Sequence, residues 1–475
     1  MNNPGSSAPA PRLASCTYAA PLPGGAGLTE LLTTGSECTW IRGGEGMVGL
    51  GTAARFTTTG SGRFEAARRW WMAATAAEAA ESEGAHRSTV PDDGLPRRSP
   101  LAFAAFAFAD DSPVDSVLVV PEFVLGSAHG RSWLTWQVDL DSPRYSERAA
   151  TGWRPSRQDA ERRLAELLAE AGPAGSAEPA VPGEPAGEGL ELSDGVLSQE
   201  GYRAAVVRGV RQIEAGNLTK LVLARDAVVR SEDPVDVPRV LHTLTERYRD
   251  CWTYAVDGLI GSTPEMLVKV DGDTARARVL AGTLDRDGAP LGTAGAGYAR
   301  QLLSEDPKQR HEHRLAVDSL TERLEPFTTS LQAPDAPFVL ELPNVWHLAT
   351  DVTARLVGAE GVRRTGPGAL ALTEVLHPTA AVCGTPREAA AALIAELERA
   401  EHGLDRGLFA GPVGWLDGNG NGEFGIALRG AVVEDPHTVR LYAGCGIVAA
   451  SDPEAELAET HAKMRPMLQA LGLQA

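Results

Sequence analysis

The sequence predicts an α+β fold in which large antiparallel β-sheets pack centrally and helices flank them. The first observation is a series of strand-like runs joined by tight turns, such as Met266–Val270 and Ala275–Val279 on either side of Asp271-Gly272. The second is that helical stretches stand between blocks of strands instead of alternating with single strands. Hairpins produce antiparallel pairs, whereas a doubly wound parallel sheet needs a crossover after each strand.

Composition and charge narrow the class of protein. The 475 residues are 43% hydrophobic and 23% charged, and they carry a formal net charge of −19. That charge disfavours binding to nucleic acid or to an anionic membrane, which needs a basic face. The five cysteines show no paired spacing, and the apolar run from Leu101 to Ala109 is too short to span a bilayer. No secretory signal is visible, so we expect a cytoplasmic protein without nucleic-acid or membrane partners.

Two stretches rich in Pro, Ala and Gly divide the chain. Residues 1–26 are expected to form a flexible tail, and residues 171–195 are expected to form an exposed loop. Between them, residues 27–170 are expected to form an N-terminal part that completes the sheets. Residues 196–475 carry most of the distinctive motifs, so this region is predicted to hold the functional site.

Capping signals predict the helices of this back region. Ser198 caps a helix that ends at Gly216. Ser304 opens a long helix with acidic residues and a proline in its first turn, which suits the helix dipole. Thr385 is predicted to open a third helix through a capping box with Glu388.

The last predicted helix begins at Asp452 and carries a cluster of charges. It places Glu456, Glu459 and Lys463 on one face, because residues three and four apart are neighbours on a helix. Glu459, together with Glu312 on the preceding long helix, is a candidate ligand of Mg²⁺, which takes oxygen ligands from one or two carboxylates. The alternative interpretation is that both glutamates are solvated helical charges.

Near the C-terminus, three strands are predicted to form a meander: Leu408–Trp415, Phe424–Val433 and Val439–Ala443. Pairing about the turn between the last two strands places Arg429 close to Gly444. A carboxylate-bearing ligand needs a guanidinium fork and free backbone N–H groups, which Arg429, Gly444 and Gly446 offer together. A sheet-surface ion pair and a tight turn are the alternative interpretations.

Two charged residues on predicted strands are candidates for proton transfer. Lys220 lies among apolar residues on a predicted buried strand, where a lysine either snorkels to the surface or acts as a base. Glu265 begins a strand after Ser262-Thr263-Pro264, and the hairpin returns Ala281-Gly282-Thr283 beside it. An acid at this position needs a raised pKa, and the alternative is an exposed carboxylate at a strand end.

An ordered set of short strings in the back region resembles the chorismate-utilising enzymes, and most closely the isochorismate synthases. The resemblance covers residues 198–475 strongly and the front half only loosely. The strings that carry it are Lys220–Arg225, Gly261–Glu265, Arg310–His313, Val345–Thr350, His377–Thr379, Gly384–Arg387, Ala443–Val448 and Glu459–Lys463.

The resemblance implies two antiparallel sheets flanked by helices around a central cleft, as in anthranilate synthase component I. It implies that Lys220 activates the attacking water and that Glu265 is the general acid. It also implies that Glu312 and Glu459 bind Mg²⁺, with Glu456 acting through a metal-bound water. The other matched positions are implied to bind chorismate: Gly282, Thr283, His347, Ala381, Arg429, Gly444, Gly446 and Lys463.

The implied activity is that of a Mg²⁺-dependent isochorismate synthase, which adds water at C2 of chorismate with loss of the C4 hydroxyl. The product would serve siderophore biosynthesis, through 2,3-dihydroxybenzoate or salicylate, or menaquinone biosynthesis. The alternatives are a salicylate synthase, which goes on to expel pyruvate, and a non-catalytic chorismate-binding regulatory subunit. Ala381 stands where lyase-type relatives carry threonine, which favours release of isochorismate. The resemblance also implies a monomer that needs no glutamine amidotransferase subunit.

Overall fold

The computed structural model describes residues 10–25, 27–32, 36–84, 100–170, 189–285, 303, 307–341, 345–358 and 367–473. The strands, in chain order, are β1 (Leu13–Ala19), β2 (Cys38–Arg42), β3 (Glu45–Leu50), β4 (Ala54–Thr58), β5 (Leu101–Ala105), β6 (Ser116–Val120), β7 (Phe123–Ala128), β8 (Arg131–Asp139), β9 (Leu190–Asp194), β10 (Lys220–Ser231), β11 (Trp252–Val256), β12 (Leu259–Thr263), β13 (Met266–Asp271), β14 (Thr274–Asp285), β15 (Thr328–Gln332), β16 (Phe338–Glu341), β17 (Val345–Leu356), β18 (Gly384–Thr385), β19 (Pro412–Asp417), β20 (Gly422–Ile426), β21 (Gly430–Asp435) and β22 (Thr438–Ile447). The α-helices are α1 (Arg63–Gly84), α2 (Ser146–Ala150), α3 (Arg157–Glu170), α4 (Gln199–Glu214), α5 (Val237–Arg247), α6 (Pro307–Leu324), α7 (Ala369–Leu376), α8 (Arg387–Ile394) and α9 (Pro453–Leu471).

Two large antiparallel sheets form the centre of the molecule, which confirms the predicted α+β class. The first sheet has the order β1-β8-β7-β3-β2-β11-β12-β21-β22-β10-β18, with β9 added beside β10. The second has the order β15-β17-β14-β13-β20-β19-β5-β6-β4, with β16 added beside β17. Helices α4, α5 and α9 contact the first sheet, and α6 and α7 contact the second. None of the helices in these described ranges combines the length and the apolar character of a membrane span.

A core rich in tryptophan fills one part of the space between the sheets. Its side chains come from both sheets and are almost completely buried, and they include Trp40, Phe103, Trp133, Trp252 and Trp415. Aromatic rings of this size bury much apolar surface, so they hold the two sheets together. The five cysteines are all free thiols.

Strands from the front of the chain belong to both sheets. β2 pairs with β11, and β5 pairs with β19. The expectation of a flexible tail over residues 1–26 is wrong for Leu13–Ala19, because this segment buries Leu13 and pairs along its whole length with β8. The expected loop over residues 171–195 is wrong for Leu190–Asp194, which pairs with β10, and residues 171–188 lie outside the described ranges. The domain bounds themselves stay a prediction.

Local signals placed several elements correctly. The Ser198 hydroxyl accepts a hydrogen bond from the Gly201 N–H at the start of α4. The Asp452 carboxylate does the same for two N–H groups at the start of α9. The predicted hairpin of β13 and β14 forms, with Val270 opposite Ala275. Its turn lies one residue later than expected, at Gly272 and Asp273, because Asp271 still pairs with Thr274. The proposed opening of α6 by Ser304 lies outside the described residues.

The predicted C-terminal meander is wrong, because its middle strand is divided between the two sheets. β20 ends at Ile426 in the second sheet, and β21 begins at Gly430 in the first. Between them the Leu428 N–H donates to Ile426 O at 2.7 Å, and Arg429 has a φ of 51°. This left-handed conformation is uncommon for a residue other than glycine, and it turns the chain from one sheet into the other.

The helix predicted from Thr385 begins two residues later than expected, at Arg387. Thr385 instead forms β18 with Gly384 and pairs with Lys220. Its carbonyl accepts a hydrogen bond from the Thr219 N–H at 2.8 Å, so its backbone pairs within the sheet and does not begin the helix. Pro386 occupies the N-cap position and no side chain caps the helix, so the capping box with Glu388 does not form.

Candidate active site

A cavity of about 310 Å³ lies between the β10–β22 end of the first sheet and the β14–β17 end of the second. Helices α6 and α9 contribute to its wall. Most of the residues that the sequence singled out are brought together there, although they come from separate parts of the chain. The predicted residues that line the cavity are Lys220, Glu265, Gly282, His347, Ala381, Arg429, Gly444, Gly446, Glu456, Glu459 and Lys463.

Two predicted residues have side chains outside the described part of the structure. Thr283 lies on β14, with its backbone opposite His347, and Glu312 lies on α6. The neighbour of Glu312, His313, is fully described: its Nε2 is 2.7 Å from Thr350 Oγ1, and its Nδ1 is 3.3 Å from Ala281 O. These contacts fix α6 against β14 and β17. The roles assigned to Thr283 and Glu312 stay predictions.

Glu265 has the electrostatic character expected of an acid. It follows the end of β12, and its side chain is only 5% exposed. Its N–H donates to Thr263 Oγ1 at 3.2 Å, and its carbonyl accepts the Ile426 N–H at 3.1 Å, so its backbone is fixed. Burial raises the pKa of the carboxyl group to about 8, although Lys220, Arg429 and Lys463 act to lower it. At neutral pH the group is therefore mostly protonated and can donate a proton.

Lys220 is held by backbone pairing at the first position of β10. It lies opposite Thr385 on β18, and the next residue, Leu221, pairs with β22 as well. The lysine is 6% exposed and faces the cavity, so the alternative of a side chain that snorkels to the surface is wrong. Its charge acts on Glu265, which places the candidate base and the candidate acid in one site.

His347 and Arg429 form a pair in the cavity wall. Arg429 Nη2 is 3.3 Å from His347 Nε2, and His347 Nδ1 is 3.3 Å from Gly282 O. A guanidinium only donates, so Nε2 is the acceptor and the proton lies on Nδ1, which donates to the Gly282 carbonyl. Burial, assisted by Arg429 and Lys463, holds the pKa of His347 well below its ordinary value. The neutral imidazole thus orients the guanidinium without competing with it for an anion.

The backbone around Arg429 depends on close packing by Tyr254. The Tyr254 hydroxyl donates to Leu428 O at 3.0 Å. A Cβ atom at Gly261 or Gly430 would lie 2.4 Å or 2.3 Å from the Tyr254 hydroxyl oxygen. Both positions therefore require glycine for this hydroxyl to reach the turn that presents Arg429.

Lys463 connects helix α9 to β22. Its Nζ donates to Gly444 O at 2.8 Å and forms an ion pair with Glu459 Oε1 at 2.6 Å. Although burial lowers the pKa of this ammonium group, Cys445 and Glu459 outweigh it and raise the pKa overall. Burial likewise acts to raise the pKa of Glu459, but Lys463 holds it below the ordinary value. Both groups are therefore charged at neutral pH.

The acidic wall fits a divalent cation. The carboxylates of Glu456 and Glu459 and the thiol of Cys445 offer ligand atoms that all lie within 4.8 Å of one another. Burial raises the pKa of Glu456, and the nearby charge of Glu459 adds to this effect. Two carboxylates that face each other in this way repel, and a hard cation such as Mg²⁺ relieves that repulsion with oxygen ligands.

Two cavity residues were missed by the sequence interpretation. Gln309, on α6, has a buried Oε1 with no hydrogen-bond partner among the described residues. A Cβ at Gly282, where φ is 82°, would approach this oxygen to 2.8 Å, so glycine is required on both grounds. Gln309 lies three residues before Glu312, and that helical spacing is the signal that would have identified it.

Arg406 is the second missed residue, and no sequence pattern around it predicts its role. It forms a buried ion pair with Glu398 at 2.6 Å, and it donates to Val222 O and Val382 O at 2.7 and 2.9 Å. These bonds tie the segment that carries Ala381 to β10, so Arg406 fixes two walls of the cavity relative to each other.

Comparisons with known proteins agree with this geometry. The profile of the family described as "Chorismate binding enzyme" matches residues 36–472. The isochorismate synthase DhbC of Bacillus subtilis is 36% identical over 289 residues, which is 58% of this chain and 69% of that protein. The salicylate biosynthesis isochorismate synthase of Pseudomonas aeruginosa is 39% identical over 274 residues, 57% of this chain and 54% of that protein.

Among solved structures, DhbC from Bacillus anthracis superposes with a TM-score of 0.68 at 28% identity, covering 94% of this chain and 100% of that chain. The match spans both sheets, not only the motif-dense back region. The chain belongs to the family of chorismate binding enzymes, and it is an enzyme of that family.

Proposed function

We propose that this chain is an isochorismate synthase, which converts chorismate to isochorismate. The observation that carries the proposal is that a buried lysine, Lys220, and a buried protonated carboxyl group, Glu265, face one cavity lined with cations. The similarity to isochorismate synthases from Bacillus subtilis and Pseudomonas aeruginosa supports the same activity. Whether the product serves siderophore or menaquinone biosynthesis stays a prediction.

Substrate binding follows from the charges in the wall. Chorismate carries two carboxylates, and Arg429 offers a bidentate guanidinium that His347 holds in place. Gly444 and Gly446 leave the backbone of β22 open to a ligand, since a side chain at either position would project into the cavity. Lys463 supplies a further positive charge on the same side.

The chemistry needs one base and one acid. Lys220 takes a proton from water as the water oxygen bonds to C2, the ring double bond shifts, and the C4–O bond breaks. Glu265 gives its proton to the departing hydroxyl, which leaves as water, so atoms and charges balance. A proton must then move from Lys220 back to Glu265 before the next turnover.

Mg²⁺ fits the acidic wall as the family's cofactor. Glu456 and Glu459, with Glu312 as the resemblance implies, would hold it, and when bound it neutralises negative charge beside the substrate carboxylate. Arg429 and Lys463 also orient the substrate through its carboxylates. We further propose that the enzyme acts as a monomer without a glutamine amidotransferase subunit, and the cytoplasmic location stays a prediction.

The test is product analysis with matched variants. Purified wild type incubated with chorismate and Mg²⁺ is expected to give isochorismate, identified by chromatography. Lys220→Ala is expected to lower turnover by about 10²- to 10⁴-fold, the usual contribution of a positioned general base. Lys269→Ala is the control, because Lys269 is a strand lysine of β13 that pairs with Glu423 and does not line the cavity. Wild-type turnover by folded Lys220→Ala would contradict the proposal, as would an aminated product formed at a comparable rate when ammonium is added.

Ala381 decides between isochorismate and salicylate as the released product. Its methyl group lines the cavity and offers no hydroxyl to orient the enolpyruvyl group for elimination. We expect isochorismate with only traces of salicylate from wild type, and a larger salicylate fraction from Ala381→Thr. Stoichiometric salicylate and pyruvate from wild type would instead identify a salicylate synthase. A regulatory subunit, the remaining alternative, is disfavoured because Lys220, Glu265 and the acidic wall are all present in one cavity.

A further inference from the structure

A glutamine in the cavity wall presents an oxygen that calls for a hydrogen-bond donor. Gln309 lies on α6, and among the described residues that line the cavity it is the one with a buried side-chain oxygen that no hydrogen bond satisfies. A Cβ atom at Gly282 would lie 2.8 Å from this Oε1 and 3.8 Å from Gln309 Cβ, so β14 packs closely along the side chain. Buried acceptors in folded proteins have partners with few exceptions, so an unsatisfied one in a ligand cavity indicates a donor on the ligand.

Gln309 belongs to the same wall of the cavity as Glu265. Gly282 is on β14, and Glu265 leads into β13, the neighbour of β14 in the second sheet. The Glu265 carbonyl accepts the Ile426 N–H of β20, which fixes this residue to the second sheet. Lys220 instead begins β10 of the first sheet. The candidate acid and the unsatisfied oxygen are therefore on one side of the cavity, and the candidate base is on the other.

Chorismate has one group that matches this oxygen. At neutral pH its two carboxylates are ionised and its ether oxygen carries no hydrogen, so the C4 hydroxyl is its only hydrogen-bond donor. The proposed mechanism places that hydroxyl beside Glu265, which protonates the C4 oxygen. The attacking water also donates, but it lies beside Lys220 at the first-sheet wall. An acceptor on the Glu265 side therefore meets the C4 hydroxyl.

We propose that Gln309 binds the C4 hydroxyl of chorismate, accepting its hydrogen at Oε1 while Glu265 donates to the hydroxyl oxygen. This inference rests on the proposed function and adds to it a residue that recognises the leaving group. As the C4–O bond breaks and the oxygen gains the proton of Glu265, its hydrogens become more acidic, so the bond to Oε1 strengthens in the transition state. A neutral amide supplies this stabilisation without adding negative charge beside a dianionic substrate.

Gln309→Met keeps the length of the side chain and its helix propensity but removes the acceptor. We expect chorismate binding to weaken about 2- to 10-fold, as on loss of a neutral hydrogen bond. We expect kcat to fall about 10- to 100-fold, because the bonded group carries partial charge in the transition state. Gln212→Met is the matched control and is expected to keep both constants, because Gln212 is a glutamine of α4 that bonds to Asn217 and does not line the cavity.

A chorismate analogue in which hydrogen replaces the C4 hydroxyl tests the contact directly. Calorimetry with Mg²⁺ present gives its dissociation constant and that of chorismate, in the Lys220→Ala background so that chorismate persists. Removal of the hydroxyl is expected to weaken binding about 2- to 10-fold more with Gln309 intact than in Gln309→Met. Gln309→Asn withdraws the oxygen by one methylene group, so it is expected to give a smaller difference, and it replaces Gln309→Met if that variant does not fold.

Equal losses with and without the Gln309 amide would overturn the proposal. A higher Mg²⁺ requirement in Gln309→Met without the difference between the two ligands would also overturn it, because the oxygen would then serve the cation. Failure here is distinguishable from failure of the proposed function. Formation of isochorismate without the difference would refute only the part assigned to Gln309. The difference in a protein that forms no isochorismate would refute only the proposed function.

Discussion

At the scale of single residues, Glu265 connects the fold to the pH dependence of the reaction. Burial raises its pKa to about 8, so the protonated acid is lost as the pH rises through that value. We expect kcat/KM to fall on the alkaline side with a midpoint near pH 8, measured as a pH–rate profile with chorismate. Glu265→Gln is expected to lower the rate by about 10²- to 10⁴-fold. If the residual kcat/KM of Glu265→Gln still falls with a midpoint near pH 8, the titration belongs to another group.

The same carboxyl group should make stability depend on pH. Its pKa is raised from 4.5 in an exposed chain to about 8 in the fold, so the fold favours the neutral form. The corresponding stabilisation is fully present below pH 4.5 and is lost as the pH rises through 8. Glutamine keeps the shape but cannot ionise. The unfolding free energy of Glu265→Gln minus that of wild type is therefore expected to grow over this interval by a few kcal/mol. Chemical denaturation at several pH values measures it, and a constant difference would contradict the buried, neutral state.

Arg429 belongs to binding more than to chemistry. Its guanidinium is oriented by His347 and lies in the cavity wall. Arg429→Ala is expected to raise the KM for chorismate by about 10- to 100-fold, equivalent to the loss of a hydrogen bond to a charged group, with a smaller effect on kcat. Arg278→Ala is the control, because Arg278 pairs with Asp351 and does not line this cavity. A large fall in kcat at unchanged KM would show that Arg429 acts in the transition state alone.

At the scale of elements, helix α9 presents Glu456, Glu459 and Lys463 from one face and depends on an anchor to β10. Arg225, 2% exposed, donates through its Nε to Thr460 Oγ1 at 2.7 Å. Because Lys220 begins the same strand, this bond sets the acidic wall relative to the candidate base.

Thr460→Val removes the anchor at nearly constant volume. We expect the Mg²⁺ concentration needed for half-maximal activity to rise several-fold, with little change in the KM for chorismate. Steady-state kinetics gives both constants when the concentrations of Mg²⁺ and chorismate are varied in turn. Thr243→Val is the control, since it removes a hydroxyl bond to Arg239 O within α5, away from the cavity. Equal rises in both constants would indicate general disruption of the site.

Elements with local signals were predictable from the sequence, and elements that depend on distant contacts were not. The caps at Ser198 and Asp452 act within one helical turn, and the hairpin of β13 and β14 pairs residues that are close together in the sequence. The division of the apolar run Phe424–Val433 depends on a hydroxyl from Tyr254, and the strand at Thr385 depends on Lys220. The residues around each of these two segments give no sign that Tyr254 or Lys220 is the partner.

The same distinction applies to the candidate site. The ordered strings indicated most of the charged residues that line the cavity, because each string is a short local pattern that can be recognised without the fold. They did not indicate Gln309 or Arg406, whose importance arises only when α6 and the segment before β19 fold against other strands.

At the scale of the whole molecule, removal of the metal should separate activity from stability. Turnover is expected to disappear in EDTA and to return with Mg²⁺, whereas the melting temperature should change little. A ligand at ten times its Kd stabilises a fold by only about 1.4 kcal/mol, and the chain itself supplies Glu459 with a cationic partner, Lys463. Glu459→Gln and Glu312→Gln are expected to be inactive but folded. Wild-type turnover in EDTA, or unfolding caused by it, would contradict the proposed role of the metal.

The interleaving of front and back strands has a consequence for synthesis on the ribosome. Ala104 on β5 pairs with Gly414 on β19, and Thr39 on β2 pairs with Ala255 on β11. At typical translation speeds, roughly 15 to 60 s separate the emergence of β5 from that of its partner. During that interval a wholly apolar strand, Leu101–Ala105, has one edge without its native neighbour. Such an edge is a template for association between nascent chains, so we expect the yield of folded protein to depend on how well β5 is shielded until β19 has been made.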